Sequence, residues 1–338
     1  MKPSVVSVGL VTNIINCLVF RRQGLGDRMN LCLYVLALVD TVYLAHTMMF
    51  TVAYWVRIQH PLLGDELYQK LRGYTMGVNY GFREASACIS VVIAVERCVC
   101  VVFPLRANKL MSTRTMGILL VTIVIGMQLA FLTTPFKKYV FSVTNNVTGE
   151  TSWTLGLSHA WQKNENLLVY DKVEDTIMLV MFPFLTFILV SCATAITVMR
   201  LRAAMSWREK MSSFKGNNLG QQVALTKMLI ASSIAFVICK IPMISISLVR
   251  IFNPEFSPYG SQSNVYKVAE LMAHYFPYAH SAFTFFIYYS QSLKFKTVLA
   301  SVCACHIKTN GLVRKRVIAP SGRRPETHHQ SNPPGEGS

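Results

Sequence analysis

Residues 91–105 read VVIAVERCVCVVFPL. Two charges, Glu96 and Arg97, stand inside a run that is otherwise apolar. On insertion scales a charged side chain at the centre of a bilayer costs about 2.5–3.5 kcal/mol. Composition settles which solvent the run belongs to. The chain has 338 residues, 52% hydrophobic and only 14% charged, and a mean hydropathy of +0.38. A soluble protein of this size carries about 25% charged residues. The stretch therefore reads as a membrane span, and each charge inside the spans is a candidate for function.

Working outward, a hydrocarbon core about 30 Å thick needs roughly 20 apolar residues of helix. Seven such runs lie near 4–20, 29–54, 73–103, 115–135, 175–199, 224–250 and 266–290. The first is short and stops at Arg21-Arg22 with no small-residue cleavage site before them. It is read as a shortened first span rather than a signal peptide. The connections 21–28, 104–114 and 200–227 and the tail from 293 carry 20 Lys and Arg against 4 acids. The connections 55–72, 136–175 and 250–270 carry 9 against 9. Positive residues stay inside, so the first set is cytoplasmic and the N-terminus is outside. Asn146-Val147-Thr148, the one N-x-[ST] sequon, then falls in an outer loop as a glycosylation candidate. The net charge of +17 is this inside bias plus a basic tail. It faces the lipid bilayer, and no nucleic-acid motif accompanies it.

The expected architecture is all-α: a seven-transmembrane helix bundle over 1–303, ending in a short amphipathic surface helix (SLKFKTVLASV), then a basic, disordered cytoplasmic tail over 304–338. Cys303 and Cys305 after that helix are palmitoylation candidates. None of the nine cysteines lies in an outer loop, and no spacing suggests a metal site or a nucleophile–base pair. Enzyme chemistry is disfavoured. No matched pair of broken helices suggests a transporter.

Six charges remain inside the spans: Asp40, Arg83, Glu84, Glu96, Arg97 and Lys240. Arg83, Ser86, Ser90, Ala94 and Arg97 fall at helical spacing on one stripe. A polar stripe faces the interior of a bundle, so the third helix is expected to be central, with Arg97 at its inner end. At 1.5 Å per residue, Lys240 on the sixth helix lies roughly 20 Å above the inner face, level with Arg83 and Glu84. Glu84 either braces two helices or leaves one cation over for an anionic group on a ligand.

ERC (96–98) followed by VCVVFPL resembles the acid-arginine-tyrosine signature of rhodopsin-like G-protein-coupled receptors. Further stretches are similar to that family in the same order: GLVTN ending at Asn13, LALVD ending at Asp40, Pro183 in MFPF, FVICKIP (236–242) and TFFIY (284–288) with Phe295 seven residues on. Within the family the chain resembles invertebrate FMRFamide-type neuropeptide receptors and molluscan chemosensory-type receptors. The resemblance implies a multi-pass plasma-membrane receptor that binds an extracellular ligand, peptide or small molecule, and activates a heterotrimeric G protein. It implies an activation set of Glu96, Arg97, Pro183, Phe236, Pro242 and Tyr288, and a ligand pocket around Met76, Tyr80, Arg83, Glu84, Lys240 and His274. It also implies a Na+ site at Asp40 with Asn13, Ser86, Ser281 and Thr284, and no other cofactor. The departures are equally specific. Lys240 stands where the family has tryptophan, and Thr284-Phe285 where it has asparagine-proline. The outer disulfide is missing in both halves, with Arg72 at one position and no cysteine in the long outer loop. The span 268–290 holds no lysine for a retinal link.

Overall fold

The computed structural model describes all residues except 1, 105, 108–110, 145, 147–148, 150, 211–216, 254, 258–259 and 305–338. The chain divides into two units, Met1–Val298 and Leu299–Ser338. The second is described only over 299–304, which are helical, with Cys303 exposed. Cys305 and the rest of the expected tail lie outside the described residues.

The first unit opens with α1 (Lys2–Gln23). Asp27 starts α2 (Arg28–Gln59), its carboxylate accepting the Asn30 N–H and so satisfying one orphan donor of the first turn. Then α3 (Pro61–Val102) follows after His60 alone. Pro61 occupies the first helical position, where its missing N–H costs nothing. Ser112 caps α4 (Thr113–Ala130) in the same way as Asp27 caps α2. Next come α5 (Thr134–Lys137), a hairpin of β1 (Lys138–Thr144) and β2 (Thr151–Leu157), α6 (His159–Lys163) and α7 (Glu165–Thr176). A π-helical turn, Ile177–Met181, leads into α8 (Phe182–Lys210). The remaining elements are α9 (Asn217–Phe252), α10 (Ser263–Ala273) and α11 (Tyr275–Gln291). Past Ser292 the chain is helical again over 293–298.

Two expectations are corrected. The outer connection 55–72 is not a loop: α2 and α3 run through it as polar helix, turning only at His60. At 1.5 Å per residue α3 is about 63 Å long, so its outer half stands clear of the bilayer. Its surface there is held by i,i+4 pairing of Lys70 with Glu66 at 2.5 Å. The long outer loop, in an otherwise helical protein, holds an antiparallel hairpin registered from Lys138↔Leu157 to Thr144↔Thr151. Asn146 sits exposed at its turn; Val147 and Thr148 of the sequon lie outside the described residues.

Among the described residues six helices are each long and apolar enough to cross a membrane. The seventh span is divided at His274 into α10 and α11. Pro277 explains the break: it has no N–H for the Ala273 carbonyl, and its ring crowds that carbonyl. Pro183 does the same to residue 179, and the chain answers with the π turn just before it, where the Phe182 N–H reaches back to the Ile177 carbonyl. Outward faces are apolar, as at Val11, Leu18, Ile118, Val121, Ile125 and Leu129, which suits lipid rather than water. The helices close a ring, α1 to α2 to α3 to α8 to α9 to α11 and back to α1, with α4 outside against α3 and α2. As its polar stripe requires, α3 is the hub: it also touches α9 and both hairpin strands. A cluster of Ala87, Ala94, Val190, Ala193 and Phe236 ties α3, α8 and α9, and Val6, Tyr43, Leu44 and Tyr278 tie α1, α2 and α11.

With no disulfide, the outer loop is anchored by charge. Asp65 on α3 pairs with Arg57 Nε at 2.9 Å and accepts the Trp153 N–H at 2.5 Å, and Lys70 lies over the Trp153 ring at 5.6 Å. Lys137 holds Asp171 at 2.5 Å and Glu174 at 3.1 Å. Gly73 lets the hairpin approach: a Cβ there would meet Leu155 at 2.8 Å.

Candidate functional site

At the inner end of α3, Glu96 is fully buried. Arg97 donates to it from Nε at 2.5 Å and from Nη2 at 2.7 Å. A second arginine shares the carboxylate. Arg28, at the start of α2, donates from Nε to Oε1 at 2.7 Å. The same guanidinium donates to the carbonyls of Ala107 at 3.3 Å and Met111 at 3.0 Å, and to Cys100 Sγ at 3.1 Å. The Cys100 thiol donates in turn to Glu96 at 3.2 Å. One carboxylate thus joins the ends of α2 and α3 and the connection that follows α3. Bidentate, charge-assisted bonds are about twice as strong as neutral ones, and removing one member of a buried pair leaves a charge uncompensated.

About four turns further out, Arg83 donates from Nε to Glu84 Oε1 at 2.7 Å. Its Nη1 meets His274 Nε2 at 3.0 Å, and its guanidinium carbon lies 4.8 Å above the Tyr80 ring. His274 Nδ1 faces the Glu270 carbonyl at 2.6 Å. A carbonyl only accepts, so Nδ1 carries the proton and Nε2 is the acceptor for Arg83. Lys240 Nζ is 4.0 Å from Glu84 Oε2 and 5.5 Å from the centre of the Phe236 ring. Arg83, Glu84 and Lys240 are all buried. Asp40, Arg83, Phe236, Lys240 and His280 line one small cavity of about 30 Å³, room for a few waters at roughly 10–15 Å³ each.

Between these two levels lies a polar column. Ser86 Oγ donates to Asp40 Oδ1 at 2.6 Å, while Oδ2 is buried with no hydrogen-bond partner. Asn13 Nδ2 donates to the Ser281 carbonyl at 2.9 Å and to its hydroxyl at 3.2 Å. Thr284 donates to the same carbonyl at 2.9 Å. A carboxylate with one open oxygen beside serine hydroxyls suits a hydrated Na+, which when bound would supply a countercharge to Asp40. Among the described residues no group of three His, Cys, Asp or Glu side chains could hold a metal.

The model of the family described as 7 transmembrane receptor (rhodopsin family) matches residues 12–288. The chain belongs to that family. No individual curated protein matches it. The receptor is accordingly a multi-pass membrane protein of seven spans.

The structure brings the sequence-derived residues together at three levels of the receptor. Glu96 and Arg97 pair at the inner end. Phe236 packs edge-on to His280 at 5.5 Å. Tyr288 is buried against Phe20 at 5.4 Å and Phe295 at 6.0 Å. Pro242 lies inside α9, two residues above Lys240, and Pro183 opens α8. Met76 is one helical turn outward of Tyr80 on α3, with no polar contact to the Arg83 cluster. Sequence reasoning missed Arg28 and Cys100 at the inner level and His280 beside Phe236. Arg28 was visible only as one more inside charge, because its partner is 68 residues away.

Proposed function

We propose that the receptor binds an extracellular ligand at the level of Tyr80, Arg83, Glu84, Lys240 and His274, and relays it to a heterotrimeric G protein at the inner face, acting in the plasma membrane. The ligand is a neuropeptide of the FMRFamide type or a small chemosensory molecule. The observation that carries the reading is the buried Glu96 carboxylate shared by Arg97 and Arg28. It braces α2, α3 and the connection after α3, and at the G-protein face we read it as a resting-state latch. Such a latch has two arrangements, and a ligand shifts the balance between them only by its differential affinity for the two. Pro183 after its π turn, Pro242 inside α9 and the ring contacts of Phe236 and Tyr288 are the bearings on which the helices move. A Na+ at Asp40, Ser86 and Ser281, with Asn13 and Thr284 behind them, belongs to the resting arrangement. Glycosylation at Asn146 and palmitoylation at Cys303 and Cys305 are part of the same proposal.

The test is G-protein activation in cells expressing the receptor, challenged with amidated peptides and with small organic acids. A response that Arg97→Ala abolishes at equal surface expression supports the reading. A response that survives Arg97→Ala unchanged overturns the role given to the latch.

A further inference from the structure

We infer that the ligand is an organic acid and that its carboxylate is received by Arg83 Nη2 and Lys240; this deepens the receptor reading above and rests on it. Arg83 has a guanidinium with five N–H donors in a fixed fork. Nε is taken by Glu84 and Nη1 by His274, and the face is covered by Tyr80. Nη2 is buried and makes no hydrogen bond, although an unmet buried donor is costly. Lys240 has its nearest carboxylate at 4.0 Å, beyond hydrogen-bond range. Glu84 Oε2 likewise makes no hydrogen bond. Within the cluster Arg83 and Lys240 stand against Glu84 alone, with His274 committed as a neutral acceptor; Asp40, bonded to Ser86, also lines the cavity. A carboxylate bridging Nη2 and the Lys240 ammonium meets both needs at once and balances the charge.

The approach from outside is mixed in charge. Arg72, Arg250 and Arg83 all lie in electrostatic range of Glu270, one turn before His274, and Arg72 is in range of Lys138 on the hairpin. The same surroundings hold Lys137 and four acids, Glu270, Asp171, Glu174 and Asp175, so the rim is close to neutral and the selection for an acid lies at Arg83 and Lys240. The cavity is too small at rest for a whole ligand, so the carboxylate head enters it and the body stays above, toward Tyr80 and Met76. A peptide ending in an amide offers a carbonyl where the site needs a charge. The site therefore selects against that end, and the acid, free or as an acidic side chain, is the recognised group.

The experiment uses the full chain in lipid nanodiscs and follows thermal unfolding. The probes are benzoate, hexanoate, indole-3-acetate and succinate, each paired with its primary amide. At least one acid should raise the midpoint saturably while its amide requires tenfold or more concentration, or has no effect. Arg83→Gln alone strands Glu84, so the decisive variant is the double substitution Arg83→Gln with Glu84→Gln, which removes the pair together. It should unfold cooperatively and lose the acid-dependent rise; Lys240→Gln should weaken it. Equal stabilisation by amides, a rise retained in the double variant, or no rise with any acid overturns the inference. The receptor reading is checked separately on the same nanodiscs by basal nucleotide exchange on G proteins. Exchange without acid binding sinks the ligand class alone, and acid binding without exchange sinks the signalling role alone.

Discussion

Three donors converge on Glu96: two guanidinium groups and a thiol. Arg28 is the one that ties the latch to the connection after α3. A hydrogen bond to a charged group is worth about 1.5–3 kcal/mol, and each 1.4 kcal/mol is tenfold in an equilibrium. Arg28→Ala should therefore raise basal G-protein activation severalfold or more, measured at matched surface expression, and Glu96→Gln should raise it further because both arginines are released. At the middle level Asp40 has one oxygen satisfied and one open. The receptor should unfold at a higher temperature in NaCl than in KCl of equal ionic strength, with the difference abolished by Asp40→Asn. Equal midpoints in the two salts would count against the cation. What was legible here was the residue beside its partner. Glu96-Arg97 and Arg83-Glu84 are neighbours in the chain, and helical spacing alone put Lys240 at their depth. Arg28 and His280 were not legible, because their partners come from other helices and only the packed ring supplies the pairing.

Among elements, the seven spans were read from apolar length, since lipid demands a full turn-by-turn backbone and about 20 apolar residues to cover it. That rule is silent outside the bilayer. Polar helix at 55–72 looks like loop by hydropathy, yet Pro61, the Glu66–Lys70 pair and Asp65 hold it helical. The hairpin was missed for a related reason: its faces are only half buried, so it carries no strong alternation. Its anchor makes a prediction. Asp65→Ala strands the Trp153 N–H and the Arg57 guanidinium, and should lower stability by about 1–3 kcal/mol. The thermal midpoint of the purified receptor would report the loss. Gly73→Val should displace the hairpin, because even a Cβ there meets Leu155; increased proteolysis within 138–157 is the readout. An unchanged midpoint for Asp65→Ala would show that Lys137 with Asp171 and Glu174 suffices to hold the loop.

For the whole molecule, a ring of helices closed through α3 carries charge clusters at two depths, with a polar column between them. The outer cluster has unmet donors, and the inner one is fully engaged. That asymmetry suits the proposed resting state, open to a ligand outside and latched against a partner inside. The measurement that tests this most directly is basal nucleotide exchange on purified heterotrimeric G proteins by the receptor in nanodiscs, comparing the unmodified chain with Arg28→Ala and Arg97→Ala. The account predicts exchange in the order Arg28→Ala above the unmodified chain, and Arg97→Ala at the level of empty nanodiscs. Three identical traces, none above empty nanodiscs for any G-protein family, would contradict the latch and the signalling function with it.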